Sequence, residues 1–318
     1  MTVDQINSFL KHSNYYLSNN TLVNNPFPID GQMEPIVSYL YDICEKVEYS
    51  VVIPIHNQEK IIIENIESII NNMIGYYEII MIFDNCIDES EKKVIDYFIE
   101  FNYEKTGIKR ILCINQQSPI FETSCDNIGF RLSNGKYIVE IQADMKMMTF
   151  GFNYILSKPF RLFEDVFSVS GRCTHNLPFD GNGVGKIGDL VEKPLNFDFK
   201  YMNKFFVMNT CNRGPLMFLN ERLKSIGYLD EFNFVLGDDE HDANLRAFNF
   251  KKWVSGHTPV EFYSPMSHGS TRKETTSENI DYLEKRLKRR KSPFLYSYKH
   301  PISKLEIRDL DKKINHRL

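Results

Sequence analysis

Between residues 48 and 144 the chain alternates two kinds of apolar stretch. Short continuous runs come first in each repeat: SVVIPI (Ser50–Ile55), EIIMIF (Glu78–Phe83), RILCI (Arg110–Ile114) and YIVEI (Tyr137–Ile141). Their length and β-branched content predict buried strands. Between them lie EKIIIENIESIINNM, ESEKKVIDYFIEF and TSCDNIGFRLSNG. In the first of these, Ile62, Ile66, Ile69, Ile70 and Met73 recur at helical spacing. Strand and helix in strict alternation predict an α/β fold, a parallel sheet with right-handed crossovers. Such a sheet takes its ligands beyond the C-terminal ends of its strands.

The flanks read differently. Residues 1–46 form short helical pieces broken by NNPFPIDG, an N-terminal extension. From residue 165 the strand-like DVFSVSGR, FFVMNTCNRGPLMF, KKWVSG and VEFYSP predict a mixed sheet edge. They are separated by the loop PFDGNGVGKIGD and by the helical NERLKSIG and DEHDANLRAFNF. After Arg272 the chain is polar and helical, with the basic run EKRLKRRK. The expected organisation is an extension over 1–46, a main domain over 47–272 and a polar tail over 273–318.

Composition narrows the class only slightly. The 318 residues carry 42% hydrophobic and 25% charged side chains, ordinary for a soluble globular protein. A net charge of -4 gives no general attraction to nucleic acid or anionic membrane. No apolar run reaches the roughly 20 residues that span a bilayer, and the N-terminus lacks the apolar core of a signal peptide. The six cysteines form no CxxC pair. Buried free thiols and a cytoplasmic location are the expectation.

Candidate chemistry sits after each strand. Pro54 and Asn57 end the first, in IPIHNQE. Asp84 ends the second and Asp88 follows it; an acid there can accept from a base or ribose, and Asp88 could equally cap the next helix. Asp144 closes the fourth run, in QADMK, where an oxygen-rich site for Mg²⁺ or Mn²⁺ needs few protein ligands if phosphates and water supply the others. In LGDDEHDANLRAF, Asp238, Asp239, Glu240 and Asp242 crowd one helix start. The bland reading is an acidic first turn matched to the helix dipole. Repulsion and burial could also lift one carboxyl into the range of a general base. Arg246, one turn past Asp242, predicts an intrahelical ion pair. His268, ahead of Gly-Ser-Thr-Arg-Lys, could bind a metal, with Arg272 and Lys273 at phosphate oxygens.

In order, these pieces resemble the inverting nucleotide-sugar glycosyltransferases of the GT-A fold, family two in particular. SVVIPIHNQEKIIIENIESII is similar to that family's opening, and EIIMIFDNCIDES to its second strand. NIGFRLSNGKYIVEIQAD is similar to the segment entering its Asp-x-Asp motif, and NRGPLMFLNERLKSIGYLDE with GDDEHDANLRA to its acceptor loop and acidic motif. The likeness covers about residues 48–272. It implies a Rossmann-like, mostly parallel sheet flanked by helices. It implies that Pro54, Asn57, Asp84 and Asp88 line the nucleoside pocket with Asn127 nearby, and that Arg272 meets the diphosphate. Asp144 falls on the metal-binding acid, Gln142 on the ribose-contacting position usually held by an acid, and His268 on a second metal ligand. The base position falls on Glu240 or Asp239, which the pattern leaves unseparated. Arg213, Gly214 and Asp238 would face the acceptor or the donor sugar.

The implied activity is metal-assisted transfer, with Mn²⁺ or Mg²⁺, from a nucleotide sugar. A UDP-sugar is the default donor, and the acceptor is a glycan, protein, lipid or small molecule. Phe179–Asp189 is a candidate lid, and a C-terminal helix is a candidate surface for pairing two subunits. The alternative is a GT-A-like nucleotide-binding or scaffold protein that has lost turnover, a reading that Gln142 supports. A nucleotidyltransferase should carry a Gly-rich basic loop after the first strand, and IPIHNQEK lacks it. The run EKRLKRRK reads as a solvated helix face rather than a nucleic-acid site.

Overall fold

Strand-forming and helix-forming stretches follow one another along the chain much as their periodicity predicts. The computed structural model describes residues 2–11, 15–18, 21–24, 35–172, 191, 203–208, 210–231, 233–234, 237–268 and 306–311. Arg272, Cys173, the candidate lid Phe179–Asp189 and the basic run Glu284–Lys291 lie outside them. The elements begin with α1 (Val3–Lys11), a hairpin of β1 (Tyr15–Ser18) and β2 (Thr21–Asn24), and β3 (Ile36–Asp42). Then come β4 (Tyr49–Ile55), α2 (Ile62–Asn72), β5 (Tyr77–Asp84), α3 (Ser90–Ile99), β6 (Ile108–Gln116), α4 (Phe121–Leu132) and β7 (Tyr137–Glu140). The remainder is β8 (Lys146–Met147), α5 (Phe152–Leu162), β9 (Val166–Ser170), β10 (Lys204–Met208), β11 (Leu216–Leu219), α6 (Asn220–Ser225), α7 (Asp239–Lys251), β12 (Val254–His257), β13 (Phe262–Tyr263) and β14 (Glu306–Asp309).

Ten strands form one sheet in the order β14-β10-β12-β9-β11-β7-β4-β5-β6-β3. The core β7-β4-β5-β6 is parallel throughout. Every residue of β5 is buried, because helices cover both faces of the parallel half. Alternate side chains part to opposite sides. Ile79, Met81 and Phe83 pack with Ile62, Ile66 and Ile69 of α2 and Val94 and Phe98 of α3. Ile80 and Ile82 face α4 in a second cluster with Ile128 and Leu132, which extends across the sheet to Ala243 and Ala247 of α7. Helix α4 lies so close to β4 that a methyl at Gly129 would meet Val52 Cγ1 at 2.3 Å. The α/β fold class expected from the sequence is the one observed. The expected mixed edge is also present: β11 runs antiparallel to β7 and β9, while β12 is parallel to β9.

Both flanks depart from the sequence reading. Val3–Lys11 is helical, but Ile36–Asp42 is a strand, antiparallel to β6 from Ile36↔Asn115 to Asp42↔Arg110. Its residues are only half-buried, as befits an outermost strand, so it never shows the dense apolar run of the central strands. At the opposite edge β14 pairs antiparallel with β10, in a region read as helical tail. Its four residues are too few to show a period, and Arg308 secures it with two bonds to the Asp165 carboxylate, at 2.5 and 2.8 Å. Cys113, Cys125 and Cys211 are buried free thiols as expected, whereas Cys86 is half-buried and Cys44 exposed. Among the described residues no helix is long and apolar enough to cross a membrane.

Candidate functional site

The loops after β4 and β5 come together through side chains that the sequence marks out. Asn57 adopts a left-handed φ of 48°, which asparagine tolerates better than most residues. Its Oδ1 accepts the Ile87 amide at 2.9 Å, stapling the first loop to the second. Asp88 accepts the amides of Glu59 at 3.0 Å and Ser90 at 2.9 Å. Partial burial would raise its pKa, but the Ser90 and Glu59 bonds prevail and hold the carboxyl below its ordinary range. Asp88 therefore ties the first amide of α3 to the loop after β4, from one residue ahead of the cap position Glu89. Pro54 lies in β4 just ahead of this junction and is half-buried.

Two residues expected at the nucleoside bond the backbone of neighbouring elements. Asp84 is 7% exposed, and its two oxygens accept the amides of Ile120 at 2.7 Å and Phe121 at 2.8 Å. A helix start leaves such amides without intrahelical partners, and the strand-end carboxylate satisfies them. Asn127 is fully buried; it donates to the Leu229 carbonyl at 2.9 Å and accepts the Leu229 amide at 3.0 Å. Both ends of that amide group bond the Leu229 backbone, so Asn127 braces α4.

The turn carrying Asp144 is held from three sides. Asn65 of α2 donates to the Ala143 carbonyl at 2.7 Å. Gly214, at φ 86°, lies against the same turn, where a Cβ would meet Met145 Cε at 2.1 Å and Gln142 Oε1 at 3.3 Å. Only glycine suits that backbone and that approach. On the third side β8 pairs antiparallel with β13, Lys146 opposite Tyr263. The Asp144 turn precedes β8 and the Pro265–His268 turn follows β13, so both leave the same end of this ribbon. His268 stacks edge-on against Tyr263, and its carbonyl accepts from Gln58 Nε2 at 3.1 Å, which ties it to the loop after β4. Asp144 and His268 are both half-buried. A carboxylate and an imidazole leaving one end of a ribbon form a donor set that suits Mn²⁺ or Mg²⁺ with phosphate and water in the other positions. Among the described residues no three His, Cys, Asp or Glu side chains gather as a metal site.

The start of α7 separates the two carboxyls that the sequence could not. Asp239 is fully buried: Thr123 Oγ1 donates to its Oδ2 at 2.5 Å, Arg213 Nη2 at 2.7 Å, and the Glu240 amide to its Oδ1 at 2.8 Å. Burial would raise its pKa, but Arg213 and these bonds outweigh it and hold the group at about 2. Glu240 is 6% exposed; its Oε1 receives a long contact from the Arg213 amide, 3.4 Å, and lies 3.7 Å from His241 Nε2, and its carboxyl meets that of Asp239. Its Oε2 has no hydrogen-bond partner among the described residues. Burial, reinforced by the charge of Asp239, pushes the Glu240 carboxyl well above its ordinary range. Asp238 holds a left-handed φ of 69° at the helix start, and its carbonyl accepts the Asp242 amide at 3.0 Å. The expected intrahelical pair is present, with Arg246 Nε 2.7 Å from Asp242 Oδ2.

Arg213, expected at a sugar, is turned inward among carboxylates. It lies 2.7 Å from Asp239, 2.8 Å from Glu122, 2.9 Å from Asp126 and 3.3 Å from Glu140. Gln142 is joined to this group, since its Nε2 donates to Glu122 Oε1 at 2.7 Å. Sequence reasoning passed over Glu122, Asp126 and Glu140. Two signals were there: Glu122 and Asp126 share one face of α4 at i, i+4, and Glu140 interrupts an otherwise apolar strand.

Comparison with known proteins fits this geometry. Residues 50–149 match the model for Glycosyl transferase family 2. Comparison with curated protein sequences gives no match. Among solved structures, GalNAc-T7 with UDP, GalNAc and Mn²⁺ aligns at TM-score 0.53 and 13% identity, over 77% of this chain and 48% of that one. The mannosyltransferase PcManGT from Pyrobaculum calidifontis, with GDP-Man and Mn²⁺, aligns at 0.50 and 12%, over 78% and 71%. S. aureus TarS 1-349 with UDP-GlcNAc aligns at 0.49 and 11%, over 76% and 66%, so the chain spans a little under two thirds of that structure. The chain thus resembles the family two glycosyltransferases and has their GT-A fold, with the family match confined to residues 50–149.

Proposed function

We propose that the protein is an inverting, metal-assisted glycosyltransferase that moves a sugar from a nucleotide sugar, by default a UDP-sugar, to an acceptor hydroxyl. The observation that carries this reading is the split pair at the start of α7: Asp239 held as an anion, and Glu240 beside it with raised proton affinity and a free oxygen. That is what a general base needs. Glu240 would take the acceptor's proton as its oxygen bonds to the anomeric carbon, while the bond to the diphosphate oxygen breaks and its electron pair leaves with the phosphate. Attack from the face opposite the leaving group inverts the anomeric centre. Asp144 and His268 would hold Mn²⁺ or Mg²⁺, which when bound offsets charge on the departing diphosphate. The loop holding Pro54 and Asn57 would receive the nucleoside, with Gln142 able to reach a ribose hydroxyl. The UDP, GDP-Man and Mn²⁺ carried by GalNAc-T7 and PcManGT support this choice of donor class and metal. The soluble, cytoplasmic setting expected from the sequence belongs to the same proposal, as does the division of the chain at residues 46 and 272.

A second reading, nucleotide binding without turnover, draws on the tethering of Gln142 to Glu122 and the engagement of Asp84 by two amides. A panel of nucleotide sugars with Mn²⁺ separates the two. Transfer predicts release of nucleoside diphosphate from one donor, abolished by chelation and by Asp144→Ala. The second reading predicts UDP or GDP binding by calorimetry with no release from any donor in the presence of a broad acceptor mixture.

A further inference from the structure

One buried guanidinium facing four carboxyls is an unusual balance of charge. Arg213 is 6% exposed, Asp126 and Asp239 are fully buried and Glu140 is 1% exposed. Only the Asp239 contact has hydrogen-bond geometry; the approaches to Glu122, Asp126 and Glu140 lie off the N–H axes. A single positive charge cannot balance this many anions, because each unpaired buried charge carries the full penalty of its desolvation. Protons must supply the balance. Burial, opposed by Arg213, pushes the carboxyls of Asp126 and Glu140 well up, while Asp239 remains charged. The centre of the cluster is therefore an ion pair, Arg213 with Asp239, set beside two buried acids, Asp126 and Glu140, that keep their protons, with the partly exposed Glu122 at its rim.

This cluster touches both halves of the candidate site. On the α7 side Arg213 grips Asp239, and its own amide faces Glu240 Oε1. On the other side its Nη1 faces Glu122, which receives Gln142 from the Asp144 turn. We propose that Arg213 is a positioning residue that joins these halves, fixing Asp239 beside Glu240 at one end and Glu122 beside Gln142 at the other. Its bearing on catalysis rests on Glu240 being the base, but the coupling itself does not.

Electrostatics give the coupling a sign. Glu240 is faced by Asp239 and His241 of α7, by Arg213 and Cys211 of the segment before β11, and, through Arg213, by the acids of α4 and β7. Removing the positive charge of Arg213 favours the protonated form of Glu240, so its titration moves up. Removing the negative charge of Glu122 leaves Arg213 less neutralised, so the titration moves down.

The test is a ¹³C carboxyl NMR titration of the full-length chain, with the Glu240 signal assigned by its loss in Glu240→Gln. Arg213→Gln is expected to move it up by about one pH unit or more, Arg213→Lys by less than half as much, and Glu122→Gln down. Unchanged titration in variants that keep the wild-type circular dichroism spectrum would overturn the proposal. If Arg213→Gln does not fold, Glu122→Gln decides alone: its side chain is 19% exposed and its loss leaves Arg213 in place. A downward shift supports the coupling and no shift ends it. The readout needs no turnover, so shifts in a protein that cleaves no donor would sustain the coupling and refute the glycosyltransferase reading instead.

Discussion

Asp239 and Glu240 are chain neighbours, yet their surroundings differ in one respect that governs their chemistry. Every oxygen of Asp239 has a strong donor, from Thr123, Arg213 or the Glu240 amide, whereas Glu240 has a long contact from the Arg213 amide and lies beside His241 and the Asp239 carboxyl. Substitution should therefore separate them. Glu240→Gln keeps shape and removes the base: donor turnover with acceptor should fall by about 10²–10⁴-fold with the fold intact. Asp239→Asn removes the anion that pairs with buried Arg213, and breaking a buried pair costs about 3–5 kcal/mol. Its signature is a lowered urea midpoint along with lost activity. Equal losses of stability in both variants would contradict this division of labour. Nearby, Asp242 is raised to about 6, first by burial and against the pull of Arg246. The native state then holds a proton between about pH 4 and 6 that the unfolded chain has released, so stability falls as pH rises through that window. Asp242→Asn should flatten that slope, measured by urea unfolding at several pH values; an unchanged slope would show that the carboxyl is charged throughout.

Elements were legible in the sequence in proportion to how deeply they are buried. Strands β4, β5, β6 and β7 lie between two helix layers and so read as unbroken apolar runs. Strand β3 carries its half-exposed pattern at the sheet's edge, and β14 has only four residues, so neither had a period to detect. What holds β14 is a contact distant in sequence, Arg308 on Asp165, which no local pattern reveals. Arg308 holds the Asp165 carboxyl below its ordinary range, so the contact weakens as pH falls through it. Because Asp165 is 42% exposed, solvent screening limits the pair to about 1 kcal/mol. Arg308→Ala should leave the global unfolding midpoint nearly unchanged and speed amide exchange in β10, whose outer partner is β14. Slow exchange in the variant would mean the strand is held by other contacts.

At the scale of the whole molecule, strand order explains how residues far apart in sequence come to one end of the sheet as the proposed site. The crossovers deliver Asn57, Asp144, Arg213, Glu240 and His268 from five separate segments to the region past the C-terminal ends of the parallel strands. Most of the motifs that carry them were readable because they follow a strand, as Asn57 follows β4 and Asp144 follows β7. Their partners were not: whether Asp84 faces a nucleoside or two helix amides, and whether Arg213 faces a sugar or four carboxyls, depends on packing between elements. The acidic run DDEHD left Asp239 and Glu240 as equal candidates for a base, since proton affinity is set by neighbours from α4 and the Arg213 segment. The central claim is direct displacement with Glu240 as base, and the anomer formed first reports on it most directly. Proton NMR of the sugar product, followed from the start of reaction with the donor that is cleaved, should show the inverted anomer first with wild type and no product with Glu240→Gln. A retained anomer, or an undiminished rate in the variant, would contradict the account.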